Sequence, residues 1–192
     1  MQIETFLANT NSFENEYLSI TDLNESFISI NSEKAFSVLN NLLTENKGKF
    51  LNGTIVIQSN YKTFLTFVDW DDLDLMWPAV LRMTLEFLEN GQEGTTEHFS
   101  NGLELGIKLI QPIKDKKVLF SVKRSSAFFN QGIDLPIEKE NKGVIELNTF
   151  LNTVIKSAED YLNFRDLDGR SHNLSAAKSE LEEIKEIIKS LV

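Results

Sequence analysis

Apolar and polar residues alternate with period two in several stretches of this chain and recur at helical spacing in others. Residues 3–7 read as a short first strand. Residues 17–21 and 26–30 alternate apolar with polar and are parted by Asp22-Leu23-Asn24-Glu25, which predicts a hairpin. Ser32 has the place of an N-cap before a helical stripe of Ala35, Phe36, Leu39, Leu42 and Leu43, and Lys47-Gly48 ends that stripe. Residues 54–58 and 63–68 are rich in β-branched and aromatic side chains and form the clearest strand pair, joined through Ser59-Asn60-Tyr61-Lys62.

A long helix is predicted over roughly 71–90, with Leu73, Trp77, Val80, Leu81, Thr84, Phe87 and Leu88 along one face and Asn90-Gly91 as its stop. Pro78 must stand near its start or kink it. Residues 92–101 read as a polar loop. Residues 103–110 and 117–122 predict a further hairpin, 125–140 an irregular stretch containing Phe128-Phe129, and 143–147 a last strand. Two helices close the chain. One, about 149–164, carries Phe150, Leu151, Val154, Ile155, Ala158, Tyr161 and Leu162. The other, about 174–191, shows a heptad-like seam of Leu174, Ala177, Leu181, Ile184, Ile188 and Leu191.

Strands that arrive as hairpins favour an α+β fold. The expectation is one domain over 1–192, with an antiparallel sheet of about five to seven strands, helices mainly on one face and the two C-terminal helices adjacent. Ile55, Ile57, Phe64, Phe67, Leu81, Phe120, Val122 and Ile155 are the expected core. A chain of 192 residues with 41% hydrophobic content suffices for one substantial core and is short for two.

Charge adds what periodicity does not. The net charge is −10, and it is concentrated. Residues 1–31 hold Glu4, Glu14, Glu16, Asp22 and Glu25 with no lysine or arginine; residues 69–104 hold nine acids against Arg82 alone. Such a chain repels phosphate, so nucleic acid is not the expected partner. No apolar run is long enough to span a membrane, and the N-terminus lacks the basic and apolar regions of a secretory signal. Cysteine is absent, which removes disulfides, thiol chemistry and thiolate zinc sites. A cytoplasmic protein without a cofactor is the expectation.

The candidate chemistry centres on Asp69-Trp70-Asp71-Asp72-Leu73-Asp74. Acids at a helix start cap its free amides and complement its dipole. The same residues, with Glu86 and Glu89 on the polar side of the helix, could instead form an acidic face for a basic partner, with Trp70 as an anchor. A hard cation is a third reading, though the spacing of a calcium loop is missing. Asp166-Leu167-Asp168-Gly169-Arg170 reads as a turn between helices. His98 and His172 lie in polar loops without neighbouring nucleophiles. Lys114, Lys116, Lys117, Lys123 and Arg124 read as a solvated strand edge. The seam of 174–191 either packs within the chain or makes a homodimer contact.

From Gly53 to about Phe164 the order of elements resembles small bacterial immunity proteins of polymorphic and contact-dependent toxin systems. The shared features are a hairpin over 55–68, the Asp69-Trp70-Asp71-Asp72 entry to a long helix, a hairpin over 103–122, a strand over 144–147 and a helix. That resemblance implies a protein that blocks a toxin domain, often through acidic complementarity to a basic nuclease cleft; it assigns no particular residue. The resulting functional expectation is a non-enzymatic acidic binding protein. The alternatives are an enzyme that uses carboxylates and a divalent cation, and a structural or interaction domain.

Overall fold

The computed structural model describes residues 1–9, 26–60, 62–96, 99, 102–111, 116–126, 137–169 and 174–190. Their order is β1 (Gln2–Ala8), β2 (Phe27–Ser29), α1 (Ala35–Glu45), β3 (Asn52–Ser59), β4 (Lys62–Leu65), a 3₁₀ turn (Phe67–Asp69), β5 (Asp71–Asp72), α2 (Leu73–Asn90), β6 (Glu93–Thr95), β7 (Leu103–Gln111), β8 (Lys117–Arg124), β9 (Glu140–Glu146), α3 (Leu147–Asp166) and α4 (Ser175–Ser190). The fold is α+β. Its strands form two antiparallel sheets rather than the single one expected. The first has order β2-β1-β3-β4, with β5 also paired to β3; the second has order β6-β7-β8-β9.

The predicted strand pairs are the backbone of both sheets. β3 pairs with β4 through Ile57 and Leu65, and β7 with β8 from Leu103–Arg124 to Gln111–Lys117. Two short strands escape a reading by pattern. β6 falls inside the predicted polar loop, and its Gly94 lies against the backbone of α2 at Met83, closer than any Cβ would permit. β5 is an acid pair that bonds back to Asn52 and Gly53. The first arm of the hairpin expected over 17–30 lies outside the described residues; its second arm is β2, paired with β1.

One continuous core joins both sheets and all four described helices. Within it Ile55, Ile57, Phe64, Leu81, Phe120 and Val122 are buried as expected. Ile155 is half-buried against that core. Phe67 instead belongs to a second, smaller cluster. α1 begins at Ala35, not directly after Ser32: the Ser32 Oγ accepts from the Lys34 N–H in a preceding turn, and the N-cap Lys34 has no side-chain cap. Phe36 on the predicted stripe is exposed, while Ala35, Leu39, Leu42 and Leu43 are buried. Pro78 stands in the second turn of α2, so the Asp74 carbonyl lacks its usual N–H donor there.

α3 and α4 run antiparallel, since Lys178 pairs with Asp166 and Lys185 with Glu159. Of the predicted α4 seam, Leu174, Ala177, Leu181 and Ile184 are buried in the common core and Ile188 packs partly buried against it; Leu191 lies outside the described residues. No described helix is long and apolar enough to cross a membrane.

Candidate functional site

The acidic run does not form one surface. Thr66 caps the 3₁₀ turn, and Asp69 completes a capping box by accepting from the Thr66 N–H at 2.9 Å. The Asp69 carboxylate then receives Arg124 through both prongs: Nε to Oδ1 at 2.6 Å and Nη2 to Oδ2 at 2.7 Å. Asp69 is fully buried and the Arg124 side chain is 2% exposed. Arg124 also donates to the Glu138 carbonyl at 3.0 Å and the Phe64 carbonyl at 3.1 Å. Burial pushes the Asp69 carboxyl above its ordinary value, against the opposing pull of Arg124 and the Thr66 amide. Arg124, read from sequence as part of a solvated strand edge, is therefore an interior residue that ties the 3₁₀ turn to β8.

Asp71 is also buried, and its Oδ1 accepts from the Asp72 N–H at 2.7 Å. Asp72 is the N-cap of α2: its Oδ1 accepts from the Asp74 N–H at 3.1 Å and from the Leu51 N–H at 3.0 Å. Burial raises its pKa, and these two amide bonds work against that rise. Asp74 meets α3. It accepts from Arg165 Nε at 2.9 Å and Nη2 at 2.8 Å, and from the Tyr161 hydroxyl. Arg165 reaches Asp168 as well, at 3.4 Å. Burial works against the Arg165 charge, but the bonds to Asp74 outweigh it and raise its pKa. Burial, then the Asp74 charge, lift the Tyr161 phenol well above its ordinary value. Tyr161 stacks on Trp77, whose indole N–H donates to the Thr5 hydroxyl at 3.1 Å.

Glu86 and Glu89 are the members of the predicted set that stay exposed on α2. Glu86 accepts from the Thr95 N–H at 3.2 Å. Farther along the segment, Glu93 pairs with Lys108 and Glu104 with Lys123. Four acids of the stretch 69–104 thus face cations from outside it: Asp69, Asp74, Glu93 and Glu104 meet Arg124, Arg165, Lys108 and Lys123. The sequence tally counted the acids without their partners.

Trp70 joins a cluster on the face of the first sheet that turns away from the main core. β1 sends Ile3 and Leu7 into that core, and Phe6 and Ala8 to the opposite side. There Ala8, Phe27 and Val68 are buried, with Phe6, Phe67, Trp70 and Ile137 partly buried around them. The Phe67 ring meets Phe6 edge-on at 4.9 Å and Phe27 at 5.3 Å.

Two signals in the sequence could have found the interior arginines. Arg124 keeps the period-two register of Val118, Phe120 and Val122, which points inward. Arg165 stands four residues after Tyr161 on the buried stripe of α3. Thr66 with Asp69 is itself a capping-box pattern.

His98 and His172 lie outside the described residues. Among the described residues no three His, Asp or Glu side chains converge as metal ligands. Compared with known proteins, the chain matches no family model, no curated sequence and no solved structure.

Proposed function

We propose that this is a non-enzymatic binding protein whose acidic exterior sequesters a basic protein partner, in the manner of an immunity protein acting in the cytoplasm. One observation carries the reading. Among the described residues the buried charged side chains nearly cancel, with Asp69, Asp71 and Asp168 against Arg124 and Arg165. The net negative charge that the described residues carry therefore falls mostly on their exterior, where it acts at long range. Exposed charge of one sign speeds encounter with an oppositely charged partner and contributes little to folding. The competing enzyme reading needs carboxylates that converge, and the acids of 69–74 are instead committed to Arg124, the α2 cap and Arg165.

The test uses a partner that co-purifies stoichiometrically from the native host. Glu86→Gln with Glu89→Gln should slow its association and flatten the salt dependence of the on-rate, with thermal stability unchanged. An unchanged on-rate at low salt would remove electrostatic steering by this helix; the absence of any stoichiometric partner would count against the binding reading itself.

A further inference from the structure

The chain contains Asn-Gly at 52–53, 90–91 and 101–102. Asparagine before glycine is the pair most open to attack of the main chain on the side-chain amide, because glycine has no Cβ to hinder its own nitrogen. Asn101 lies outside the described residues, and the other two pairs stand in opposite surroundings. Asn52-Gly53 opens β3 with a strand on either side. Gly53 pairs with Leu7 of β1 and with Asp71 of β5, and Asn52 pairs with Asp72. Gly53 is buried, and a Cβ there would run into the Phe6 carbonyl and the Leu73 side chain.

Asn90-Gly91 lies at the corner between α2 and β6, and both residues are exposed. The Gly91 N–H donates to the Phe87 carbonyl at 2.9 Å. The Asn90 side chain closes the turn that follows. Its Oδ1 accepts from the Gln92 and Glu93 amides at 2.8 and 3.0 Å, and its Nδ2 donates to the Glu93 carbonyl at 2.6 Å. These bonds hold both reacting groups apart, but they belong to an exposed helix end. Such a corner opens by local fraying, whereas a pair flanked by two strands opens only with its sheet.

We infer that Asn90-Gly91 is a site of spontaneous covalent modification, and that the fold directs the reaction there and away from Asn52-Gly53. The reaction consumes only water. A solvent base takes the Gly91 amide proton, and the nitrogen bonds to Asn90 Cγ. The Cγ–Nδ2 bond breaks, and Nδ2 takes a proton from solvent and leaves as ammonia. Water then opens the resulting five-membered imide at either carbonyl carbon. One opening gives aspartate, and the other gives isoaspartate, whose main chain runs through the former side chain. Both add a negative charge at the C-terminal end of α2, where the helix dipole is already negative. Aspartate also exchanges the Nδ2 donor for an oxygen set against the Glu93 carbonyl, and isoaspartate lengthens the main chain just ahead of β6. The modification thereby loosens β6 from α2, whatever the protein binds.

The experiment incubates the full chain in mildly alkaline buffer, folded and in guanidinium chloride. Samples are digested at intervals, and mass spectrometry follows amide-to-acid conversion at residues 52 and 90, with isoaspartate separated by chromatography against synthetic peptides. The unfolded chain should convert both asparagines at similar rates. The folded chain should convert Asn90, with Asn52 slower by about tenfold or more. Gly94→Ala, which forces β6 off the Met83 carbonyl, should speed conversion of Asn90 and not of Asn52, once circular dichroism has shown the variant to be folded. Asn90→Asp, which imitates one product, should lower the melting temperature. A folded wild-type chain that leaves Asn90 intact, or that converts Asn52 as fast, would overturn the assignment. An Asn90→Asp variant as stable as wild type would overturn the loosening of β6.

Discussion

Arg124 clasps Asp69 with two hydrogen bonds inside the protein, where neither charge meets water. Two ions brought so far from solvent cost much of what their attraction returns, so the pair is a weak stabiliser but an expensive one to break. Asp69→Leu or Arg124→Met alone should cost about 3–5 kcal/mol, because each strands a buried charge. The double variant should recover most of that loss. Urea denaturation of wild type, both single variants and the double variant closes the cycle. Additive losses would mean that the two residues are not coupled.

Two glycines of similar appearance should respond differently. Gly91 ends α2 at φ +69 with open space around it, so Gly91→Ala carries only a backbone penalty of about 1–2 kcal/mol. Gly94 has no such dihedral, but a Cβ there would run into the Met83 carbonyl, and helix backbone does not yield as a side chain would. Gly94→Ala should lower the melting temperature more than Gly91→Ala. The reverse order would mean that β6 does not press on α2.

Glu146 caps α3 with its side chain, accepting from the Asn148 and Thr149 amides at 2.9 and 2.6 Å. The bond from the Thr149 hydroxyl, more than the amide bonds, lowers its pKa. A depressed acid holds fewer protons folded than unfolded. Its contribution is therefore complete above the unfolded value and is lost as pH falls through the folded one. Glu146→Ala should cost about 1 kcal/mol at neutral pH, and the gap to wild type should close in acid. Chemical denaturation at pH 7 and at pH 3 would decide it; a gap that is constant with pH would assign the loss to packing.

Deletion of everything after Asn173 should abolish cooperative unfolding. It strips Leu174, Leu181 and Ile184 from the common core, each worth about 1.5–3 kcal/mol of burial, against a total stability of only about 5–15 kcal/mol. A truncated chain that melts sharply as a folded monomer would return the α4 seam to the role of a contact between copies.

Periodicity carried the strongly alternating strands and the long helices, because β3, β7, β8, α2 and α3 each bury a stripe that their own spacing announces. It failed where an element exists only through its neighbours. Glu93-Gly94-Thr95 has no apolar pattern and becomes a strand by pairing with β7 beside α2. The division into two sheets is equally non-local, since a strand's own residues do not say which edge it joins. The acidic run was visible, but its fate was decided by Arg124 and Arg165, far along the chain, and a count within a window treats compensated and uncompensated charge alike. Trp70 was legible as a residue apart from the α2 stripe, and the face it joins appears only once β1 and the 3₁₀ turn meet.

The two sheets face each other across β4 and β9, and there side chains from one sheet occupy main-chain acceptors of the other. Asn141 donates to the Thr63 carbonyl, Arg124 to the Phe64 carbonyl, and Lys62 to the Lys142 carbonyl. Phe64 fills the space over Gly143 and meets Phe120 at 5.3 Å. Among the described residues β4 and β9 are terminal strands, the places where foreign chains add themselves and fibres begin. An incoming strand would have to evict these donors and prise Phe64 from its seat. The joint that holds the halves together thereby also closes two edges against polymerisation.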